Sequence, residues 1–147
     1  MILVDANLLL HAYNASSDRH AGARNWLEEV MSGSEPVGLA WVTILAFLRI
    51  GTNPRVFPYP LSPAEASEIV SQWLQRPMVM ILGASERHWD SLSGLLTTTQ
   101  SRGPLVMDAH LAALAIEHGA VLCSTDRDFT RFPGLRIVNP LEQSSEH

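Results

Sequence analysis

The chain has 147 residues, 46% of them hydrophobic, which is enough for one domain with a buried core. Its formal net charge of −5 argues against a broad basic surface for nucleic acid, and its apolar runs fall short of the ~20 residues that span a bilayer. The single cysteine, Cys123, excludes an intramolecular disulfide and is typical of a reducing compartment. We therefore expect a cytoplasmic protein without a membrane segment, folded as a single domain over residues 1–141, with a disordered tail over residues 142–147.

Apolar runs and helical patterns alternate along the chain. Short apolar runs predict buried strands at residues 2–4, 37–39, 78–82, 120–123 and 136–138. Helical signals predict helices at residues 7–13, 42–50 and 106–118, and further helices that start from caps at Asp18, Ser62 and Ser85. The start at Ser62 is the strongest, because Pro63 and Glu65 complete a capping box. This alternation indicates an α/β fold with a parallel sheet between helices.

A single carboxylate, Asp5, ends the first apolar run, Met-Ile-Leu-Val, and Leu-Leu-Leu follows shortly after it. Burying a lone ionised carboxylate costs several kcal/mol unless it is paired or bound to a metal. A helix N-cap is one explanation, since Asp is a preferred cap. Ligands of parallel sheets, however, bind beyond the carboxyl ends of the strands, so the residues that follow strands are also candidates for a site.

Four aspartates are placed to meet at that end of the sheet. Asp5 follows the first strand, Asp126 and Asp128 follow the strand at 120–123, and Asp108 lies in the first turns of the helix at 106–118. Independent caps and turns would explain each residue singly, but they explain less well why Asp108 lies among apolar neighbours. Clustered carboxylates repel one another unless a cation lies between them. Oxygen ligands alone select Mg²⁺ or Mn²⁺, and the chemistry that such an ion favours here is phosphodiester hydrolysis.

Several motifs in a fixed order resemble the PIN-domain ribonucleases, and specifically the VapC-type toxins of bacterial toxin–antitoxin pairs. The resemblance covers nearly the whole chain. It is carried by Met-Ile-Leu-Val-Asp-Ala-Asn at 1–7, Phe-Leu-Arg at 47–49, Thr-Asn-Pro-Arg-Val-Phe at 52–57, Asp-Ala-His-Leu-Ala-Ala-Leu-Ala at 108–115, Ser-Thr-Asp-Arg-Asp-Phe at 124–129, Phe-Pro-Gly-Leu at 132–135 and Asn-Pro at 139–140.

The resemblance implies a three-layer α/β/α fold with a central, mostly parallel β-sheet. It also implies a divalent-metal-dependent endoribonuclease that forms homodimers and is inhibited by a VapB-type antitoxin filling the active-site cleft. Asp5, Asp108 and Asp126 are then the expected Mg²⁺ or Mn²⁺ ligands, and Asp128 is an auxiliary catalytic acid.

Three further residues are candidates for contacts with the RNA substrate or with the acids. Asn7 and Thr125 are placed to position acids or water by hydrogen bonding. Arg49 lies near the expected cleft, where it either binds phosphate or pairs with an acid of the fold. All ten basic residues of the chain are arginine, which binds phosphate through two hydrogen bonds.

One position departs from the family pattern. Relatives usually carry a glutamate in a Thr-Glu-x-x-Phe-x-Arg motif, and in that register the glutamate position is Ile44 here. No other acid lies between Glu35 and Glu65. An alternative function is therefore a PIN-like protein that binds RNA or its partner with weak or no nuclease activity. A third is an α/β phosphatase with Asp5 as nucleophile, but such enzymes usually have a second acid where this chain has Asn7.

Overall fold

The computed structural model describes residues 1–142, so residues 143–147 of the predicted tail lie outside the described residues. The strands are β1 (Ile2–Val4), β2 (Val37–Leu39), β3 (Val79–Ile81), β4 (Val121–Cys123) and β5 (Ile137–Val138). The helices are α1 (Ala6–Tyr13), α2 (His20–Ser32), α3 (Trp41–Gly51), α4 (Pro63–Gln75), α5 (His88–Thr99) and α6 (Leu105–His118), with a short 3₁₀ helix at Arg127–Arg131. Within the described part, none of these helices has the length and apolar character needed to cross a membrane.

The five strands form one sheet in the order β3-β2-β1-β4-β5, and every neighbouring pair is parallel. The predicted parallel sheet is therefore confirmed. The chain starts in the centre with β1, places β2 and β3 on one side and then returns to place β4 and β5 on the other. The strand order thus reverses between β1 and β4, and such a reversal is where an open parallel sheet binds ligands.

Two apolar cores lie on opposite faces of the sheet. Leu3 faces the core built mainly from α5 and α6, whereas Ile2 and Val4 face the core built from α1 to α4. The alternation follows from the period of two along a strand. Helices on both faces make the fold a three-layer α/β/α arrangement, as predicted.

The helix starts were predicted with mixed success. Ser62 and Glu65 form the expected capping box of α4. Asp18 and Ser85, in contrast, do not cap helices, since α2 and α5 begin after Arg19 and Arg87. Ser85 instead donates its backbone N–H to the Glu117 carboxylate of α6 at 3.0 Å, which ties the segment before α5 to α6.

Candidate active site

The site begins where the two central strands end side by side. Val4 of β1 and Cys123 of β4 are paired in register, so the next residues, Asp5 and Ser124, leave the sheet at the same point. The Asp5 backbone N–H donates to the Cys123 carbonyl at 3.0 Å and continues the pairing by one residue. Strand register thus places a carboxylate and a hydroxyl next to each other at the carboxyl edge.

Asp5 is both a helix cap and a member of this site. One carboxylate oxygen accepts the backbone N–H of Ala6 at 2.8 Å at the start of α1. The other accepts the Ser124 hydroxyl at 2.7 Å. The cap explanation is therefore correct for one oxygen, while the second oxygen belongs to a contact between β1 and β4.

Ser124 connects three elements of the site and was not predicted as a site residue. Its side chain is 1% exposed. The hydroxyl donates to Asp5 and accepts both the Asn7 side-chain amide at 3.2 Å and the Asp126 backbone N–H at 3.0 Å. The sequence signal was its position directly after a buried strand, the same place that Asp5 occupies after β1.

Three carboxylates form the tightest acidic group in the described part of the chain. Oxygens of Asp108, Asp126 and Asp128 lie within 4.8 Å of one another. Asp108 comes from the first turn of α6, and Asp126 caps the 3₁₀ helix by accepting the Asp128 N–H at 2.8 Å. This close group differs by one member from the predicted metal set, because it contains Asp128 and not Asp5.

Asp5 is nevertheless coupled to that group. Burial raises the pKa of Asp108 to about 6, and the negative charges of Asp126, Asp5 and Asp128 contribute to the rise. The positive charge of Arg131 lowers the same pKa. Burial also raises the pKa of Asp5, although its hydrogen bonds from Ser124 and Ala6 oppose the rise. The four aspartates therefore repel one another at neutral pH, and a cation among them would relieve that repulsion.

The donor set fits a hard divalent cation. It consists of carboxylate oxygens, which Mg²⁺ and Mn²⁺ prefer. The single cysteine, Cys123, lies at the end of β4 and is not a member of the acidic group, and burial raises the pKa of its thiol to about 11. The acidic group therefore offers oxygen ligands alone.

The prediction that Ile44 occupies the position of the missing carboxylate is wrong. Its side chain is 1% exposed and packs in the apolar core that contains Val4 and Phe47. The residues of α3 that line the hollow with Asp5 and Asp108 are Val42, Thr43 and Ala46. Because one helical position turns a side chain by about 100°, a shift of one residue moves it from the hollow into the core. The face of α3 toward the acids still carries no carboxylate.

The predicted contact residues divide into two groups. Asn7 lies at the site, where its amide donates to Ser124 and its oxygen accepts the Thr125 backbone N–H at 3.4 Å. Arg49 is exposed and lies six residues beyond Thr43 on α3, which is roughly 9 Å along the helix axis. The structure thus does not bring Arg49 to the acids. The nearby cation is Arg131, which lies 3.5 Å from Asp128.

The geometry of this site agrees with a comparison to known families. The PIN domain family matches residues 2–135. The chain belongs to the PIN-domain family. Among its PIN-domain relatives, Ribonuclease VapC37 of Mycobacterium tuberculosis is 44% identical over 140 residues, which cover 95% of this chain and 97% of that protein. Ribonuclease VapC43 of the same species is 40% identical over 142 residues and covers 97% of both chains.

Solved PIN-domain structures share the fold at lower identity. Mycobacterium tuberculosis VapC20, described as a Sarcin-Ricin loop cleaving toxin, has a TM-score of 0.67 at 18% identity and covers 92% of this chain and 99% of that one. VapBC2 from Rickettsia felis, bound to a DNA fragment from its promoter, has a TM-score of 0.67 at 21% identity and covers 95% and 98% of the two chains. At these identities the likeness supports the fold.

Proposed function

We propose that this PIN-domain protein is a divalent-metal-dependent endoribonuclease and the toxin of a toxin–antitoxin pair. The observation that carries the proposal is the group of four coupled aspartates at the carboxyl edge of β1 and β4. The names of its relatives, VapC ribonucleases at 40–44% identity, support RNA as the substrate.

Each part of the site has a proposed role. Asp108, Asp126 and Asp128 would hold a Mg²⁺ or Mn²⁺ ion, with Asp5 beside Asp108 as a further ligand. When bound, the ion would supply an activated water and stabilise charge on the phosphoryl group that is transferred. Ser124 orients the Asp5 carboxylate and the Asp126 backbone, and Asn7 orients Ser124 and Thr125. Hydrogen bonds of this kind fix the ligands before substrate arrives.

The partners follow the same proposal. We infer a homodimer and a cognate VapB-type antitoxin from the similarity to VapC ribonucleases. The cluster of acids is an acceptor surface for a basic side chain of such a partner, and arginine suits it because its guanidinium pairs with carboxylates through two hydrogen bonds.

A cleavage assay tests the proposal. Asp5→Asn should lower RNA cleavage in Mg²⁺ at least roughly 100-fold, since losing a metal ligand should cost no less than losing its outer partner. Asp90→Asn is the matched control, because Asp90 is exposed on α5, outside the group of acids. EDTA should abolish cleavage by the wild type. Cleavage that persists in EDTA would reject a metal-dependent mechanism, and undiminished cleavage in Asp5→Asn would reject Asp5 as a ligand.

A second function is favoured by the face of α3. Val42, Thr43 and Ala46 stand where a further carboxylate would complete the hollow with Asp5 and Asp108. A protein with a weaker metal site would bind RNA or its partner without cutting efficiently. RNA binding at saturating Mg²⁺ without cleavage would support that alternative. The phosphatase alternative lacks its general acid, since Asn7 is bonded to Ser124.

A further inference from the structure

The longest stretch of the chain without an acid is residues 36–64. It contains β2, α3 and the loop after α3, and its charged residues are Arg49 and Arg55. Both arginines are exposed, and no ion pair among residues 1–142 involves either of them. A chain with a net charge of −5 thus carries one locally positive segment that is free to bind phosphate.

The loop after α3, residues 52–60 (the 52–60 loop), is held in one conformation by its own hydrogen bonds and by a buried side chain. The Asn53 side chain accepts the Arg55 N–H at 3.0 Å, and the Asn53 carbonyl accepts the N–H groups of Val56 and Phe57 at 3.0 Å each. Phe57 is buried and anchors the loop to the domain. Leu61 donates to the Gly51 carbonyl at 2.9 Å and so closes the base of the loop.

Tyr59 projects from this loop into solvent. It is 84% exposed and stands between Pro58 and Pro60. Each proline fixes its own φ and restricts the residue before it, so the backbone that carries Tyr59 has little freedom. The backbone position from which the ring projects is therefore set before any ligand arrives, which lowers the backbone entropy lost on binding.

The base of the loop lies at the far end of α3 from the acids, since Gly51 is eight residues beyond Thr43, or roughly 12 Å along the helix axis. A side chain at Gly51 would contact Leu61 and Leu10 at 3.6 and 4.0 Å, which places the base of the loop against α1. Leu10 is five residues after Asp5, or roughly 7.5 Å along the helix. An RNA strand that contacts both the carboxylates and the 52–60 loop must therefore extend along α1 and α3.

We propose that the 52–60 loop is a binding subsite for unpaired RNA, in which a base stacks on Tyr59 and Arg55 and Arg49 hold flanking phosphates. The inference rests on the proposed ribonuclease function and names the form of its substrate. Aromatic rings interspersed with arginines are the typical surface for single strands, because every base has a face that stacks. A duplex keeps its bases stacked inside and does not offer this contact.

Binding to RNA tests the inference separately from cleavage. The probe is a short fluorescein-labelled single-stranded RNA of mixed sequence, compared with its duplex, and the readout is fluorescence anisotropy. The wild type is measured in EDTA and Asp5→Asn in Mg²⁺, because the proposed function predicts that neither cleaves the probe. Tyr59→Ala should weaken single-strand binding roughly tenfold, whereas Tyr59→Phe should bind like the wild type. Arg55→Gln should reduce the salt dependence by about one phosphate contact.

Trp89→Ala is the matched control, because Trp89 is 68% exposed on α5, outside the loop. Unchanged RNA affinity in Tyr59→Ala, or an equal loss in Trp89→Ala, would overturn the inference. The inference would also be overturned if Tyr59→Ala changed the oligomeric state in analytical ultracentrifugation but left RNA binding unchanged. The loop would then be a contact between protein chains. Tyr59-dependent binding by a wild type that cleaves no RNA would support the subsite and reject the ribonuclease.

Discussion

Asp108 bears the strongest electrostatic conflict in the site, because its pKa of about 6 reflects burial and three neighbouring carboxylates. Its proton is therefore held more tightly in the folded chain than in the unfolded one. Without metal, the stability of the fold should fall as pH rises through the interval between the unfolded value of 3.8 and about 6. The fold alone thus favours a neutral group at Asp108, whereas the proposed metal site requires a charged one.

Asp108→Asn should stabilise the metal-free protein at pH 8. We expect a rise in Tm of roughly 2–4 °C, corresponding to about 1 kcal/mol after solvent screening of a half-exposed group. Thermal unfolding in EDTA measures it. The advantage should shrink below about pH 6 and disappear below about pH 4, as both states become protonated. Added Mg²⁺ should stabilise the wild type more than the variant, and a Tm difference independent of pH would contradict the repulsion.

Ser124→Ala should shift the pH dependence of cleavage. The Ser124 hydroxyl lowers the pKa of Asp5, so its removal should raise that pKa and move the acidic limb of the rate profile toward higher pH. It should also cost about 1–3 kcal/mol of stability, because the buried partners of the hydroxyl lose a hydrogen bond. Rate profiles and urea unfolding measure the two effects. An unshifted profile with lower stability would make Ser124 purely structural.

Sequence patterns locate acids better than hydroxyls. Asp5 and Asp108 were identifiable because carboxylates among apolar residues need an explanation. Ser124 was absent from the predicted site because a small hydroxyl beside a strand is unremarkable until its three partners are known. Two of those partners, Asp5 and Asn7, lie more than a hundred residues away in the chain and reach Ser124 through the pairing of β1 with β4. The third, Asp126, lies two residues after it.

At the scale of elements, α3 shows how much depends on helical phase. Its extent was predicted to within one residue at each end, yet the face toward the acids was assigned to Ile44 and not to Val42, Thr43 and Ala46. Apolar residues surround α3 on several sides, so hydrophobic periodicity alone does not fix its rotation. The parallel pairing of the strands was easier to predict, because it follows from the alternation of strands with helices.

Ala46→Glu should tighten metal binding, because it adds a carboxylate to the hollow with Asp5 and Asp108. Titration calorimetry with Mn²⁺ measures the affinity. Ile44→Glu should instead destabilise the fold by at least about 3 kcal/mol, since it buries a charge in an apolar core. Leu45→Glu, on an exposed position of the same helix, is the control and should change neither property. Tighter Mn²⁺ binding in Ile44→Glu would instead support the alignment that places the family's glutamate at position 44.

At the scale of the whole molecule, the acidic site and the partner should compete. If a basic side chain of the antitoxin occupies the place of the ion, then raising Mg²⁺ should weaken the toxin–antitoxin complex. Asp5→Asn should weaken it even without metal, because one acceptor charge is lost. Dissociation constants measured at fixed ionic strength separate this effect from general screening. Unchanged affinity in both experiments would mean that the antitoxin covers the RNA path without entering the acidic site.

The buried thiol at the end of β4 can serve as a chemical probe of local opening near the acidic site. Cys123 is the sole cysteine of the chain, and its thiol packs in the core between the sheet and helices α1 to α4, one residue before Ser124 of the acidic site. A thiol reagent can reach it only when this core opens, so the rate of modification measures how often the core opens. Mg²⁺ bound to the neighbouring carboxylates should slow the reaction, since a ligand that binds only the folded state lowers the open population. The modification rate of Cys123 in the native chain would thus report metal binding at the neighbouring acidic site, with no added label.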